Sequence, residues 1–143
     1  MKKIIDGKKY DTETAREVGS WDNGCFVTDM QYFSETLYRK RTGEYFLYGE
    51  GGAMSRYAEP CEGNSWTSGE HIFPLSYEEA THWAEEHMDA DDYESEFGEV
   101  SEDGEDVAVT VRVPASAKAA LDRECSRTGE SRSAIVARLL GTL

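Results

Sequence analysis

The feature that most constrains this chain is its last 37 residues, which read as one strand and two short helices. In Val107-Ala108-Val109-Thr110-Val111-Arg112-Val113 a valine stands at every second position, so the four valines share one face of a strand. Pro114 follows, suited to the first turn of a helix. That helix is expected over 115–127, with Ala117, Leu121 and Cys125 on one stripe and Thr128-Gly129 closing it. Ser131 is the expected N-cap of a second helix over 132–140, in which Ile135, Val136, Leu139 and Leu140 are apolar. Below ~40 residues a chain usually needs a metal, disulfides or oligomerisation to bury enough surface. The strand also lacks a partner within its own unit. Two copies paired antiparallel about a two-fold axis meet both needs. The expected dimer interface is therefore Val107, Val109, Val111 and Val113, backed by Leu121, Ile135, Val136 and Leu139. Ala108, Thr110 and Arg112 then point outward on a two-stranded ribbon, a shape the major groove admits.

The alternating strand, Val113-Pro114, a helix ending at Gly129, and Ser131-Arg132-Ser133 opening the second helix together resemble the ribbon-helix-helix family of bacterial and phage DNA-binding proteins. The resemblance covers residues 107–143. It implies that Thr110 and Arg112 read base edges, with Ala108 a silent third position. It also implies that the amides of Ser131, Arg132 and Ser133 hold a phosphate, with Arg132 adding charge there. The alternative is that the unit only pairs two copies of the chain.

Charge divides the chain as sharply as pattern does. From Asp106 onward six basic and four acidic residues give +2, whereas residues 1–105 hold nine basic and 25 acidic residues, a net of −16. A change of sign between two parts of one chain suggests two tasks. Phosphate neutralisation needs Lys and Arg, so the tail is the part suited to DNA. The eight residues 99–106 are acidic and nearly free of apolar side chains, and 101–106 is expected to act as a self-repelling linker.

Residues 1–100 read as a small α+β domain. Lys2 to Tyr10 forms a hairpin around Asp6-Gly7, a type I′ turn pair. Asp11 or Thr12 is expected to cap a short helix over 14–18, ended by Gly19, with Trp21 and Phe26 as core anchors further on. A second hairpin joins 35–41 to 44–48 through Thr42-Gly43, pairing Arg41 with Glu44 and Leu37 with Tyr48. Gly49-Glu50-Gly51-Gly52 is expected to end that strand, 55–69 to form a long loop, and 71–75 a short strand whose Pro74 belongs at a sheet edge or at the strand end. Ser76-Tyr77-Glu78-Glu79 is a capping box for a helix with Tyr77, Ala80, Trp83, Ala84 and Met88 on one face. A shorter helix follows from Asp89 or Ala90, with Tyr93 and Phe97 inward and Gly98 at its end. The expected fold is thus α+β, a small antiparallel sheet with helices, followed by a C-terminal ribbon-helix-helix dimerisation unit.

The stretches 7–15, Glu35-Thr36-Leu37-Tyr38, 48–52 and Pro74-Leu75-Ser76 resemble a small acidic domain of mobile elements in Gram-positive bacteria, found in some candidate anti-CRISPR proteins. The resemblance implies a partner type: a basic, nucleic-acid-binding channel of a Cas effector, approached through long-range attraction. Three readings stay open. The first is an anti-CRISPR-like inhibitor with a tail for dimerisation and autoregulatory DNA binding. The second is an antitoxin or autorepressor whose acidic domain binds a basic toxin. The third is a regulator sensing a small ligand among the N-terminal aromatics.

Enzyme chemistry is not expected, because no paired catalytic carboxylate stands out from so many solvated ones. No cofactor is expected. A metal site is not expected either: His82 and His87 are five apart and do not share a helix face, and Cys61 near His71 lacks a third ligand. Glu50-Gly51-Gly52 with Ser55-Arg56 could form an anion-binding nest or be a plain turn. Cys25, Cys61 and Cys125 make no CxxC pair, and Met1 to Asp6 lacks the apolar stretch of a secretory signal. No run long enough to span a membrane is present in the sequence. A cytoplasmic protein of a bacterial host cell is the expectation.

Overall fold

Asp6 and Gly7 take φ values of 50° and 76°, the paired positive angles of a type I′ turn. They close β1 (Lys2–Ile5) onto β2 (Lys8–Asp11), with Ile5 opposite Lys8. The computed structural model describes residues 1–104, 109 and 111–143. The chain divides into two units, Met1–Thr110 and Val111–Leu143.

After β2 the backbone turns and enters β3 (Arg16–Asp22), not the short helix expected over 14–18. Asp11 does cap, but it caps a turn: its Oδ1 accepts the Glu13 N–H at 3.0 Å, and its carbonyl accepts that of Ala15 at 3.0 Å. A five-residue helix makes too few hydrogen bonds to offset its nucleation. Pairing with β4 (Phe33–Arg39) gives the same residues a full antiparallel ladder. The register shifts between Glu17 and Gly19, which now stands within the strand. Trp21 packs against the core as expected, but Phe26 in the β3–β4 loop is 86% exposed and anchors nothing inside.

β4 pairs with β5 (Tyr45–Gly51) one residue away from the expected register, setting Leu37 opposite Leu47 and Arg39 opposite Tyr45. The turn is the cause. The Lys40 N–H donates to the Glu44 carbonyl at 2.8 Å and the Gly43 N–H to that of Lys40 at 2.9 Å, with Gly43 at φ 92°. The loop is therefore residues 41–43, closed by a left-handed glycine. A one-residue slip exchanges sheet faces, and this register is the one that puts Leu37 and Leu47 together inside. β5 continues through Gly49 and Gly51 to pair with β8 (Gly69–Leu75). The four-stranded sheet has the order β3-β4-β5-β8, which leaves Pro74 on an edge strand. Between β5 and β8 a small hairpin of β6 (Glu59–Cys61) and β7 (Ser65–Thr67) occupies the expected loop.

Both sheet faces are covered. On one, Leu37, Tyr45 and Leu47 meet Ala80, Trp83, Ala84 and Phe97 from α1 (Tyr77–His87) and α2 (Ala90–Phe97). The capping box of α1 is complete: Ser76 Oγ accepts the Glu79 N–H at 3.1 Å, and Glu79 accepts the Ser76 N–H at 3.1 Å. Asp89 caps α2, and Gly98 follows it at φ 97°. On the other face, Phe46 and Ile72 are sealed by Tyr10 of the β1–β2 hairpin, its ring edge-on to Phe46 at 5.5 Å. Leu37, Phe46 and Phe97 are fully buried, each stabilising by roughly 1.5–3 kcal/mol.

One charged group lies among these side chains. Glu35 of β4 is 4% exposed, and its carboxylate accepts from Tyr57 Oη at 2.6 Å, Trp83 Nε1 at 2.8 Å and Arg56 Nη1 at 3.3 Å. Gly49 stands opposite Glu35 across the strands. A Cβ there would lie 2.0 Å from Tyr57 Cζ, so only glycine lets the tyrosine ring lie on β5 and reach the carboxylate.

In the second unit, α3 (Ala115–Thr128) and α4 (Arg132–Leu140) stand where the sequence places them. Of the strand expected over 107–113, Val107, Ala108 and Thr110 lie outside the described residues. Val109, Val111, Arg112 and Val113 carry no strand pairing.

Glu35→Ala should cost about 2–6 kcal/mol in urea unfolding, because two buried donors lose their acceptor at about 1–3 kcal/mol each. A loss below about 0.5 kcal/mol, the size of an ordinary surface substitution, would show that the network does not hold the sheet to α1. A second expectation concerns alkali. The phenols of Tyr45 and Tyr57 are pushed above their ordinary value of 10.0, first by burial and then by their hydrogen bonds to Glu96 and Glu35. The folded chain keeps these protons where the unfolded chain releases them. Their stabilising effect is whole below that ordinary value and is lost as pH rises through the higher folded values. Urea midpoints should therefore decline on crossing it, and less steeply in Tyr45→Phe.

Candidate functional site

The second unit is built by three local signals. Pro114 opens α3, its carbonyl accepting from the amides of Ala117 at 3.0 Å and Lys118 at 3.2 Å. Gly129, at φ 72°, ends it with an N–H to Cys125 at 2.9 Å. Ser131 Oγ then accepts the Ala134 N–H at 3.1 Å, starting α4. The result groups Ser131, Arg132 and Ser133, all exposed, at the N-terminus of α4. Amides at a helix N-terminus and the positive end of its dipole suit an anion.

The remaining expected site residues fall into three sets. Ala108, Thr110 and Val107 lie outside the described residues, while Arg112 is described and exposed. Val109, Val111 and Val113 are 71%, 70% and 54% exposed, and Val136 and Leu139 are exposed as well. Leu121 is half-buried and Ile135 is 2% exposed, already inside the single chain.

Charge in this unit is partly spent. Arg132 Nη2 lies 2.7 Å from Asp122 Oδ1, Arg138 Nη1 lies 2.7 Å from Glu130 Oε1, and Arg127 is hydrogen-bonded to Glu124. The bond from Arg127 holds the Glu124 carboxyl below its ordinary range. Arg132 thus reaches a phosphate only by leaving Asp122. Lys118 and Arg123 make no ion pair among the described residues.

In the unit Met1–Thr110 charge is segregated along the chain. All nine of its Lys and Arg residues lie in 2–56, and residues 57–104 hold none. Tyr48 Oη lies 2.6 Å from Glu70 Oε2 and 2.9 Å from Glu50 Oε2, two carboxylates opposite each other across β5 and β8. One phenolic proton serves both, and burial with these bonds raises the Tyr48 phenol above its ordinary range. Glu96 likewise gathers Arg16 at 2.7 Å, Arg39 at 3.4 Å and Tyr45 Oη at 2.8 Å, tying α2 to β3, β4 and β5. Sequence spacing contains no sign of these clusters, since each joins residues from different strands.

The anion nest considered around residues 50–56 is closed. Ser55 Oγ would lie 2.2 Å from a Cβ on Gly51, the Gly52 N–H donates to the Tyr32 carbonyl at 2.9 Å, and Arg56 is turned to Glu35. Among the described residues no group of three or more His, Cys, Asp or Glu side chains is placed to hold a metal. His71 pairs with Glu59 at 3.5 Å, His82 with Glu86 at 3.3 Å, and the His87 ring lies 4.3 Å from that of Trp21. No helix among the described residues is long and apolar enough to cross a membrane. Compared with known proteins, the chain matches no family model, no curated protein and no solved structure.

Ser131 offers a test that separates folding from anion binding. Ser131→Ala should destabilise α4 by about 1 kcal/mol through loss of its cap. If this terminus holds a DNA phosphate, Ser131→Asp should keep the cap and the melting temperature, yet weaken that binding by setting a carboxylate beside it. Unchanged DNA affinity in Ser131→Asp would remove the helix terminus from the interface.

Proposed function

We propose that the chain is a homodimeric DNA-binding protein of a mobile element, paired through its C-terminal unit, with an acidic unit that inhibits a CRISPR effector. One observation carries the pairing. Ile135 is the only buried residue in Val111–Leu143, whereas Val111, Val113, Leu139 and Leu140 are all more than half exposed. A body so small with so little inside needs cover, and a second copy brings the same apolar face. Pairing two copies of 107–113 antiparallel sets the valines against the helices. It turns Ala108, Thr110 and Arg112 toward the major groove and brings the amides of residues 131–133 onto flanking phosphates. An isologous dimer of this kind reads a two-fold symmetric site.

The inhibitory role rests on the likeness of residues 1–100 to the acidic mobile-element domain. It is supported by the absence of Lys and Arg from 57–104, which offers α1, α2 and β6 to β8 as a uniformly acidic stretch to a basic channel. Two copies of that domain on one dimer add avidity wherever the effector presents two sites.

Sedimentation equilibrium should give twice the 16.0 kDa chain mass, and Val111→Glu with Leu139→Glu should return it to the monomer. Thr110→Ala with Arg112→Ala should keep the dimer mass and abolish anisotropy changes on DNA from upstream of its own reading frame. A monomeric wild-type chain overturns the pairing. A dimer without DNA affinity reduces the unit to a dimerisation module. Neutralisation of a small basic toxin, with no effect on Cas cleavage, replaces the inhibitor reading with the antitoxin one.

A further inference from the structure

Four of the nine cations of the acidic unit come together, Lys8 and Lys9 of the β1–β2 hairpin with Lys40 and Arg41 at the β4–β5 turn. Sequence separates these two groups by about thirty positions, and the fold joins them. Lys8 Nζ bonds Glu44 Oε2 at 2.9 Å, and Lys40 Nζ stands 4.3 Å over the Tyr10 ring. Between them opens a cleft of about 210 Å³. Lys9, Lys40 and Arg41 line it together with Thr14 and Thr42, and the buried Asp11 lies on its wall beside Ala15.

The balance of charge in the cleft is opposite to that of the unit around it. Three cationic residues and one carboxylate line the cleft, and that carboxylate's Oδ1 takes the Glu13 N–H. The neighbouring Glu44 is held by Lys8, by Thr42 Oγ1 at 3.1 Å and by Lys40 at 3.5 Å. Lys9 makes no ion pair among the described residues. The cleft is too large for a monatomic ion alone. Two lysines and an arginine along one cleft match the several oxygens of a phosphoryl group. The Thr14 hydroxyl, whose bond to the Asp11 carbonyl is long at 3.5 Å, is free to turn toward such an oxygen. Repulsion from the −16 background slows approach, but beyond about 10 Å at ordinary ionic strength that field is screened, and the local cations decide binding.

We propose that this cleft is a binding site for a phosphoryl group, that of a free nucleotide or of a nucleic-acid backbone, with Lys9, Lys40 and Arg41 as its charged contacts. The site is independent of the C-terminal unit and of dimerisation.

The test is a 15N-resolved NMR titration of the full chain with pyrophosphate, with ATP and with a short single-stranded DNA in separate arms. Saturable shifts centred on Lys9, Thr14, Arg41 and Thr42 are expected. Affinity should drop by about tenfold or more in Lys9→Ala with Arg41→Ala, and fall steeply with added salt. Lys2→Ala with Lys3→Ala, on the same hairpin but outside the cleft, should leave it unchanged. Arg41→Gln alone serves as a milder variant should the double variant lose its native spectrum. Saturation by pyrophosphate and ATP assigns a free phosphoryl ligand, and saturation by the oligonucleotide alone assigns a backbone phosphate. Absence of saturation in all three arms overturns the proposal, as does equal affinity in the Lys9 and Arg41 variants.

Discussion

Glu35 is the point at which three parts of the first unit are fastened to one another. Its carboxylate takes the Tyr57 hydroxyl from the connection after β5 and the Trp83 indole N–H from α1, while its own backbone lies in β4. Burying a carboxylate costs several kcal/mol, and the cost is offset only when its lone pairs are filled. Here they are filled by two short bonds and a partly exposed arginine. No buried side-chain nitrogen or oxygen among the described residues is left without a partner. Gly49 makes the arrangement sterically allowed, since any side chain at that position would occupy the space of the Tyr57 ring. The helix layer, the strand pairing and the path of the chain after β5 therefore depend on one acid and one glycine facing each other across two strands.

The two units solve the problem of burial differently. The first covers both faces of its sheet, with helices on one and a hairpin on the other, and needs no further copy to close its core. The second has helix caps at every expected place but almost nothing inside them. Local signals suffice to start and stop helices; only apolar contact holds them together in water. This contrast is why the proposed pairing belongs to the C-terminal unit, and why the first unit is available for a separate task. Its charge supports the same division, with a basic end at the β1–β2 hairpin and the β4–β5 turn and no cation at all from residue 57 to residue 104.

Much of the local structure was legible in the sequence because it is set by neighbours along the chain. Asp6-Gly7, the Ser76 capping box, Asp89 with Gly98, Pro114 with Gly129, and Ser131 each act over four or five residues, and each stands as read. Elsewhere distant partners decide. Residues 16–18 have a helix-compatible sequence but are recruited by β4, and 49–51 look like a glycine-rich stop but continue as a strand because Tyr57 and Ser55 fold back over them. The β4–β5 register lies one residue from the expected one, because loops of two and three residues both fit Arg41-Thr42-Gly43 and only the buried pair Leu37 and Leu47 selects between them.

By itself, then, the sequence determined where α1 to α4 begin and end, and it placed hairpins at Asp6-Gly7 and around Thr42-Gly43. Tertiary structure decided the rest: the carboxylate network around Glu35, the clusters at Glu96 and Tyr48, and the meeting of Lys9 with Lys40 and Arg41. The reason is physical. Caps and turns are satisfied by hydrogen bonds between near neighbours, so short patterns specify them. Buried charges and cationic clefts are made by side chains far apart in the chain, and they come together only once the strands have been set in register.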